Sequence, residues 1–296
     1  MHADVMHQLQ EIGCQLDRNV FPRVKNGGIV MPSGSALLPS TLGAENGNEQ
    51  TSRQRRPEAG SWKGTAGGQG SAGGAWPPHQ TAPVVCANLR EKYEDELTAV
   101  REAYPCTEVW YEEDGLWLLT ESTLLPELQT TATFLTGISF VRASVRSWGF
   151  WRGGAVGYTW IGPRHTNFPD GSICAFEPSD GTWTFEDSLV ELLDLYTLWA
   201  LRHLHLQVYG RWPGQQAVHY PYERLLEIKE GEYCGCGKFD KLYRECCRDK
   251  DLARNRIADA INFLVRSSGG LREPPQEVTR FIREQKKPPR LCNLLV

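Results

Sequence analysis

Apolar side chains recur with helical spacing along residues 185–210, which is the strongest periodic pattern in the chain. The positions that share one face of this segment are Leu189, Leu192, Leu193, Tyr196, Trp199 and Leu206. Gly210 follows the last turn, where glycine commonly ends a helix because it adopts a left-handed conformation without steric cost. The pattern therefore predicts a long helix with one buried face.

A second helix is predicted over residues 84–105, where apolar and charged positions alternate with helical period until Pro105 ends the pattern. Between the two helices lie stretches rich in β-branched and aromatic residues, separated by turn residues such as Asp114-Gly115. The strand candidates are 107–123, which reads as a hairpin, 129–140, 145–151 and 155–162. Shorter helices are predicted over 222–231, 251–268 and 275–286. Consecutive strands with helices toward the ends predict an α+β fold with a meander of about four strands.

The N-terminal part of the chain has a different composition. Residues 1–22 carry only a weak amphipathic pattern, and residues 60–83 are dominated by Gly, Ser, Ala and Pro, which cannot bury a core. We therefore predict a disordered tail with a possible short helix over 1–82. The folded part is predicted to divide into a domain over 83–225 and a second region over 226–296.

Composition excludes several classes of protein. The net charge of −4 gives no overall basic field, so nucleic acid is not an expected partner. No apolar run of about 18 residues predicts a membrane span, and the first residues lack the apolar centre of a secretory signal. The nine cysteines are an odd number, and four of them lie between residues 234 and 247. This distribution favours a metal site in a reducing compartment, the cytoplasm, over a disulfide framework.

The cysteine cluster has the spacing of a metal site. Its members are Cys234, Cys236, Cys246 and Cys247. Four thiolates in this pattern can close a tetrahedron around Zn²⁺, and they leave no open coordination position, so the predicted role of the zinc is structural. An iron–sulfur cluster and a set of redox cysteines are the alternatives. The segment resembles the SEC-C zinc motif, with one extra residue and without the second glycine after the Cys-x-Cys. That resemblance implies a basic knuckle that can contact protein partners or nucleic acid.

A fifth cysteine, Cys174, stands in the turn-rich stretch HTNFPDGSICAF, residues 165–176. Polar turn residues on its N-terminal side predict exposure, whereas a structural cysteine usually lies within an apolar run. A thiol that carries an acyl group must be exposed, because a bulky donor has to reach it. A nearby amide donor such as Asn167 can stabilise the oxyanion that forms when an amine attacks a thioester.

The order of these features resembles the ubiquitin-conjugating-enzyme family. His165-Thr166-Asn167 is similar to the family's His-Pro-Asn tripeptide, with Thr in place of Pro, and Gly171-Ser172-Ile173-Cys174 is similar to its active-site segment. A tryptophan, Trp183, and the long helix follow, as in the family. The resemblance covers about residues 83–225 and is greatest to bacterial members in antiphage cyclic-nucleotide signalling operons, which also have a Trp-Pro-Gly and a later His, here His219.

This resemblance implies an N-terminal helix, a four-stranded antiparallel meander, an active-site loop and a long helix, followed by the zinc-knuckle module. It implies Cys174 as the acyl carrier, Asn167 in an oxyanion or a loop-bracing role, and His219 as the general base. It also implies His165 as a catalytic-site residue, with a packed imidazole that braces the loop as the alternative. Alternative bases are Asp170, Glu177 and Asp180. Trp183 and Trp199 are expected in the core.

The function that follows is that of a conjugating transferase. It would accept a protein C-terminus as a thioester on Cys174 and pass it to a target amine in bacterial antiphage defence. The expected partners are a ubiquitin-like protein or a signalling nucleotidyltransferase whose C-terminal tail is conjugated. No Gly-rich phosphate loop precedes a helix, so either activation by ATP needs a separate protein or the donor arrives by another route. The alternatives are an inactive tail-binding adaptor with a zinc knuckle and a thiol hydrolase that uses the same residues.

Overall fold

A five-stranded antiparallel sheet forms the centre of the protein, with its strands in sequence order as a meander. The computed structural model describes residues 23–30, 82–123, 130–153, 157–176, 182–218, 220–238, 241–266 and 272–294. The strands of this sheet are β3 (Glu108–Glu112), β4 (Gly115–Glu121), β5 (Thr131–Ser139), β6 (Ser144–Gly153) and β7 (Gly157–Trp160). The α+β class is confirmed. The sheet has five strands, one more than the meander of about four, and each overlaps a strand candidate of the sequence, the last at residues 157–160 paired with the end of β6.

Two helices cover one face of the sheet. These are α1 (Ala82–Ala103) and α2 (Leu189–Tyr209), and both were predicted from their periodicity. The Ser188 hydroxyl accepts a hydrogen bond from the backbone N–H of Glu191 at the start of α2. Gly210 ends the helix with a φ of 65°. The apolar face of α2 packs on alternate residues of β4 and β5, and both Trp183 and Trp199 are buried in this core, as predicted.

The other face of the sheet is covered by the C-terminal part of the chain. Helices α6 (Gln276–Glu284) and α7 (Leu291–Leu294) supply the apolar side chains there. The buried residues of this second core are Trp117, Leu119, Leu135, Trp148, Phe150, Val278, Phe281, Ile282 and Leu291. With both faces buried, β4 has a continuous apolar run instead of an alternating one. The described residues of the predicted region 226–296 therefore do not form a separate body, since this end belongs to the sheet's own core.

Short helices connect the long helix to the C-terminal part. They are α3 (Pro221–Glu227), a single 3₁₀ turn at Tyr243–Glu245, α4 (Arg248–Leu252) and α5 (Arg256–Arg266). One helix was predicted over 251–268, but the chain breaks it at residues 253–255. The cause is Asn255, whose side-chain oxygen accepts hydrogen bonds from the N–H groups of Ile257 and Ala258 and starts a new helix there. Among the described residues, none of the helices has the length and apolar character needed to cross a membrane.

A small hairpin lies within the segment predicted to be a disordered tail. It consists of β1 (Arg23–Lys25) and β2 (Gly28–Val30), joined by Asn26 and Gly27. Both turn residues have positive φ, 49° and 73°, as a type I′ turn requires. Their N–H groups donate to the carboxylate of Asp194 on α2, each at 2.8 Å. The tail prediction is therefore wrong at residues 23–30, and the predicted short helix lies outside the described residues.

Candidate active-site loop and metal centre

The Cys174 segment folds into a narrow hairpin-like loop. The backbone N–H of Cys174 donates to the carbonyl of His165 at 3.0 Å, and that of Asn167 donates to the carbonyl of Ser172 at 2.7 Å. At the tip, Gly171 has a φ of 63°, and a β-carbon there would approach the carbonyl carbon of Glu273 to 2.8 Å. A glycine is therefore needed at this position for conformation and for space.

The loop is fixed to the core on two sides. The indole N–H of Trp199 on α2 donates to the carbonyl of His165 at 2.8 Å. On the other side, the N–H of Ile173 donates to the carbonyl of Ser147 on β6 at 2.7 Å. Ile173 is buried, whereas Cys174 is partly exposed. Cys174 therefore lies, partly accessible, at the end of a loop that is hydrogen-bonded on both sides.

Asn167 uses its side-chain amide inside the loop. Its Nδ2 donates to the hydroxyl of Ser172 at 3.2 Å and to the carbonyl of Ile173 at 3.1 Å. An amide nitrogen has two hydrogens, and both are engaged in this arrangement. Of the two roles that the sequence left open, this geometry favours bracing of the loop over stabilisation of an oxyanion.

His165 is packed within the loop, although part of the residue remains accessible to solvent. Its ring lies 4.2 Å from that of Trp212, and its Nε2 lies 3.2 Å from the side-chain oxygen of Gln216. Desolvation, with the nearby charge of Arg164, lowers the pKa of His165 to about 3. The imidazole is thus neutral near pH 7, and its contacts favour a supporting role instead of a direct role in proton transfer.

His203 on α2 also binds the backbone at the N-terminal end of this loop. Its Nε2 donates to the backbone carbonyl of Arg164 at 2.7 Å, and the residue is only 2 % exposed. Burial lowers the pKa of His203 from 6.5 to about 4. Two neutral histidines, the partly buried His165 and the buried His203, therefore hold the loop at its N-terminal end.

These histidines predict a loss of stability in mild acid. Their pKa values are lower in the folded chain, so the unfolded chain binds protons first as the pH falls below 6.5. The stabilisation is complete above that pH. Between pH 7.5 and 5.5 we expect the free energy of unfolding to fall by about 1.4 kcal/mol for each histidine. Urea unfolding followed by tryptophan fluorescence at both pH values measures this. His203→Gln, which keeps a donor for the Arg164 carbonyl, should remove the contribution of one histidine to this loss, about 1.4 kcal/mol. An unchanged pH dependence in this variant would contradict the assignment.

His219, the predicted general base, lies outside the described residues, as do the alternative bases Glu177 and Asp180. The remaining alternative, Asp170, accepts hydrogen bonds from the N–H and the hydroxyl of Ser172 at 3.0 Å and 2.8 Å. Asp170 thus shapes the tip of the loop, and its Oδ1 already has two donors.

Sequence reasoning missed a buried polar network behind the loop. The guanidinium of Arg164 contacts both carboxylate oxygens of Glu232, at 3.0 Å and 2.5 Å, and also donates to Gln216. Gln216 in turn donates to the backbone carbonyl of Tyr233 at 2.7 Å. The Arg164 and Glu232 side chains are 6 % and 0 % exposed. The only sign of this network in the sequence is an arginine directly before the His-Thr-Asn tripeptide. That position does not indicate which carboxylate pairs with the arginine.

A second arginine braces the loop from the C-terminal side. Arg272 donates to the backbone carbonyl of Pro163 at 3.1 Å and forms ion pairs with Glu223 and Glu227 on α3. Its guanidinium lies 3.8 Å from the ring centre of Phe168. The loop is therefore held between α2, the segment around the cysteine cluster, and the chain that leads to α6.

The four clustered cysteines converge as predicted. Their sulfur atoms all lie within 4.8 Å of one another, and the residues are Cys234, Cys236, Cys246 and Cys247. The Cys236 and Cys246 sulfurs are 3.6 Å apart, and those of Cys246 and Cys247 are 3.8 Å apart. A tetrahedral site with Zn–S bonds of about 2.3 Å needs sulfurs about 3.8 Å apart, so these residues fit such an ion.

The backbone and a small apolar core position the sulfurs. Cys234 directly follows Tyr233, which forms an isolated β-bridge with Leu242, and the N–H of Cys234 donates to the carbonyl of Lys241 at 3.0 Å. Gly235 has a φ of 71°, which lets the chain reverse between the first two cysteines. The apolar residues beside the cluster are Val218, Ile228 and Tyr243. This apolar core is small, and small cores contribute little stability by themselves.

A buried ion pair lies beside the cluster. Arg224 on α3 binds Asp251 on α4 through two hydrogen bonds of 2.8 Å, and the Tyr243 hydroxyl donates to the same carboxylate at 3.2 Å. Of the basic residues near the cysteines, Arg244 and Arg248 are paired with Glu245 and Glu230 on the surface. The buried arginine beside this segment is thus Arg224, ten residues before Cys234 in the sequence.

The electrostatics of the cluster depend on burial. Desolvation raises the pKa of Cys234, and it raises that of Cys247 to about 11. Burial also opposes ionisation of Cys236, but a hydrogen bond from the backbone N–H of Lys238, with the neighbouring thiols, lowers its pKa overall. A metal that binds here therefore has to displace protons from sulfur.

Comparisons of the whole chain with models of protein families, with curated proteins and with solved structures gave no match. The function must therefore be argued from the geometry of the loop and of the cysteine cluster.

Proposed function

We propose that this protein is a ubiquitin-conjugating-enzyme-like transferase that carries a protein C-terminus as a thioester on Cys174. The observation that carries the proposal is the partly exposed Cys174 at the end of a loop that is braced by Trp199 and by β6. The order of α1, meander, loop and α2 agrees with the fold expected for that family. A loop held by hydrogen bonds on both sides suits a carrier, because the thiol has to meet two large reactants in turn.

The proposed chemistry has two steps. In the first, the Cys174 thiolate attacks the carbonyl carbon of an activated C-terminus, supplied as a thioester or an acyl adenylate by a separate protein. A new C–S bond forms, and the thiolate or AMP leaves with the bonding electrons. In the second, a target amine attacks the same carbon, the C–N bond forms and Cys174 leaves as a thiolate. The amine proton passes to a general base, for which His219 remains our proposal.

The cysteine cluster is proposed to hold a structural zinc ion. Cys234, Cys236, Cys246 and Cys247 would fill all four positions of a tetrahedral shell. When bound, the ion supplies folding energy to a segment whose own core is small. Reduced thiols at both sites suit a reducing compartment such as the cytoplasm.

The proposed donor is a ubiquitin-like protein or a signalling nucleotidyltransferase that presents its C-terminal tail, in the context of bacterial antiphage defence. This part of the proposal rests on the resemblance of the His-Thr-Asn and Gly-Ser-Ile-Cys segments to those of the bacterial ubiquitin-conjugating-enzyme-like proteins.

One observation favours a second candidate, a tail-binding adaptor without catalysis. Both amide hydrogens of Asn167 are engaged within the loop, by Ser172 and Ile173, so this side chain offers no donor to an oxyanion in the described arrangement. An adaptor would need the shape of the loop but not the reactivity of the thiol.

The test is acyl transfer from a fluorescent peptide thioester that ends in glycine. The unaltered chain should form an adduct that dithiothreitol removes, and lysine should discharge it. Cys174→Ser should form no such adduct, whereas Cys106→Ser, which changes an exposed cysteine elsewhere, should load normally. Loading and discharge by Cys174→Ser at the rate of the unaltered chain would rule out the carrier. Peptide binding without any adduct, unchanged in Cys174→Ala, would identify the adaptor.

A further inference from the structure

The cysteine cluster and the Cys174 loop meet at one buried carboxylate. Glu232 lies two residues before Cys234, and its backbone is held inside the cluster segment. Its carbonyl accepts from the N–H of Tyr243 at 2.8 Å, and its N–H donates to the carbonyl of Lys229 at 3.0 Å. The position of Glu232 therefore depends on the fold of the segment that surrounds the sulfurs.

The side chain of Glu232 extends from this segment to Arg164, the residue directly before the loop. Besides the two contacts from Arg164, its carboxylate accepts from the N–H of Trp212 at 2.7 Å and from that of Lys229 at 3.1 Å. The side chain is 0 % exposed, so water does not compete for these bonds. A buried charge with this many donors has one favourable position, and loss of that position leaves Arg164 buried without its counter-ion.

Arg164 connects Glu232 to the backbone of Cys174. It directly precedes His165, whose carbonyl accepts the hydrogen bonds of both Cys174 and Trp199. A second connection runs through Gln216, whose side chain contacts Arg164, His165 and the backbone of Tyr233. The contacts are continuous from the cluster segment to the backbone of Cys174, which is the physical condition for coupling between two sites.

We propose that Glu232 is a positioning residue through which metal binding at the four cysteines orders the Cys174 loop. The inference deepens the proposed function and rests on its metal centre, but it does not require the transfer chemistry. Metal at the cluster fixes the segment that carries Glu232, Glu232 fixes Arg164, and Arg164 fixes the backbone that presents the thiol. Loss of metal should therefore loosen the loop while the central sheet stays folded.

Hydrogen–deuterium exchange on the full chain tests this coupling. Glu232→Gln keeps the shape of the side chain but removes its charge. The variant should keep its metal, while the amides of Asn167, Gly171, Ile173 and Cys174 exchange about tenfold faster or more and those of β5 exchange as before. The matched control is Glu230→Gln, two residues away, whose carboxylate is 61 % exposed and pairs with Arg248 on the surface. Exchange in the loop at the unaltered rate in Glu232→Gln would overturn the proposal.

Removing the metal from the unaltered chain with a chelator is the second experiment. It tests the coupling between the metal site and the Cys174 loop even if Glu232→Gln does not fold. We expect faster exchange at residues 232–247 and in the Cys174 loop, with β5 still protected, and faster alkylation of Cys174 by iodoacetamide in peptide mapping. A loop that keeps its metal-bound exchange rate, or a loop and sheet that loosen together, would overturn the coupling. Neither readout uses an acyl donor, so failure of the thioester test and failure of this inference remain distinguishable.

Discussion

Replacing both Cys246 and Cys247 by serine is expected to release the metal and unfold the segment around the cluster. A serine hydroxyl is a poor zinc ligand, and two remaining sulfurs cannot complete a tetrahedral shell. Structural zinc binding contributes about 10–16 kcal/mol of apparent free energy at pH 7, and the apolar residues beside these sulfurs cannot replace it. Metal analysis of the purified chain should fall from about one zinc ion to nearly none.

The control for this prediction uses the remaining described cysteines away from the cluster and the loop. Cys106 and Cys292 are both exposed, and their joint replacement by serine should leave the metal content unchanged. Full metal content in the Cys246→Ser/Cys247→Ser variant would contradict the assignment of these residues as ligands. About two or four irons per chain, together with acid-labile sulfide, would instead identify an iron–sulfur cluster, the alternative that the spacing left open.

Ile282→Ala is expected to lower the free energy of unfolding strongly, and Ile257→Ala is its matched control. Ile282 is 1 % exposed beneath the sheet, where it packs with Phe281 and Leu291. Removing its buried carbon atoms leaves a cavity, and such substitutions cost about 2–5 kcal/mol. Ile257→Ala makes the same change on α5, where the side chain is 74 % exposed, and it should stay within about 0.5 kcal/mol.

The comparison isolates burial, because both isoleucines are in helices and the difference in helix propensity cancels. Chemical denaturation of the two variants gives the difference in the free energy of unfolding. Equal effects in both would mean that the C-terminal helices do not cover the sheet in solution. The result therefore also tests the finding that the C-terminal residues belong to the core of the sheet.

Local patterns predicted the parts of the fold that depend on neighbours in sequence. The helical period of α2 and its terminal glycine are local, and so is the spacing of the four cysteines. The Cys174 loop was predicted for the same reason, because its turn residues and its thiol lie within ten residues of one another.

Contacts between distant residues could not be predicted in this way. Arg164 and Glu232 are 68 residues apart, and Arg272 is 109 residues from Pro163. The amphipathic pattern of residues 275–286 indicates that one face is buried, but it does not indicate which surface covers that face. The hairpin at 23–30 is a different case, because Asn26-Gly27 is a recognised turn signal that the surrounding composition obscured.

The hairpin at 23–30 affects the choice of a fragment for expression. Its turn donates two hydrogen bonds to Asp194, and the carbonyl of Ala103 lies so close to Gly27 that a β-carbon there would be 2.1 Å away. A fragment that begins at residue 83, the predicted start of the folded part, removes these contacts with Asp194 in the second turn of α2 and with Ala103 at the end of α1. The minimal folding unit is therefore discontinuous along the chain, and a shortened gene should retain residues 23–30.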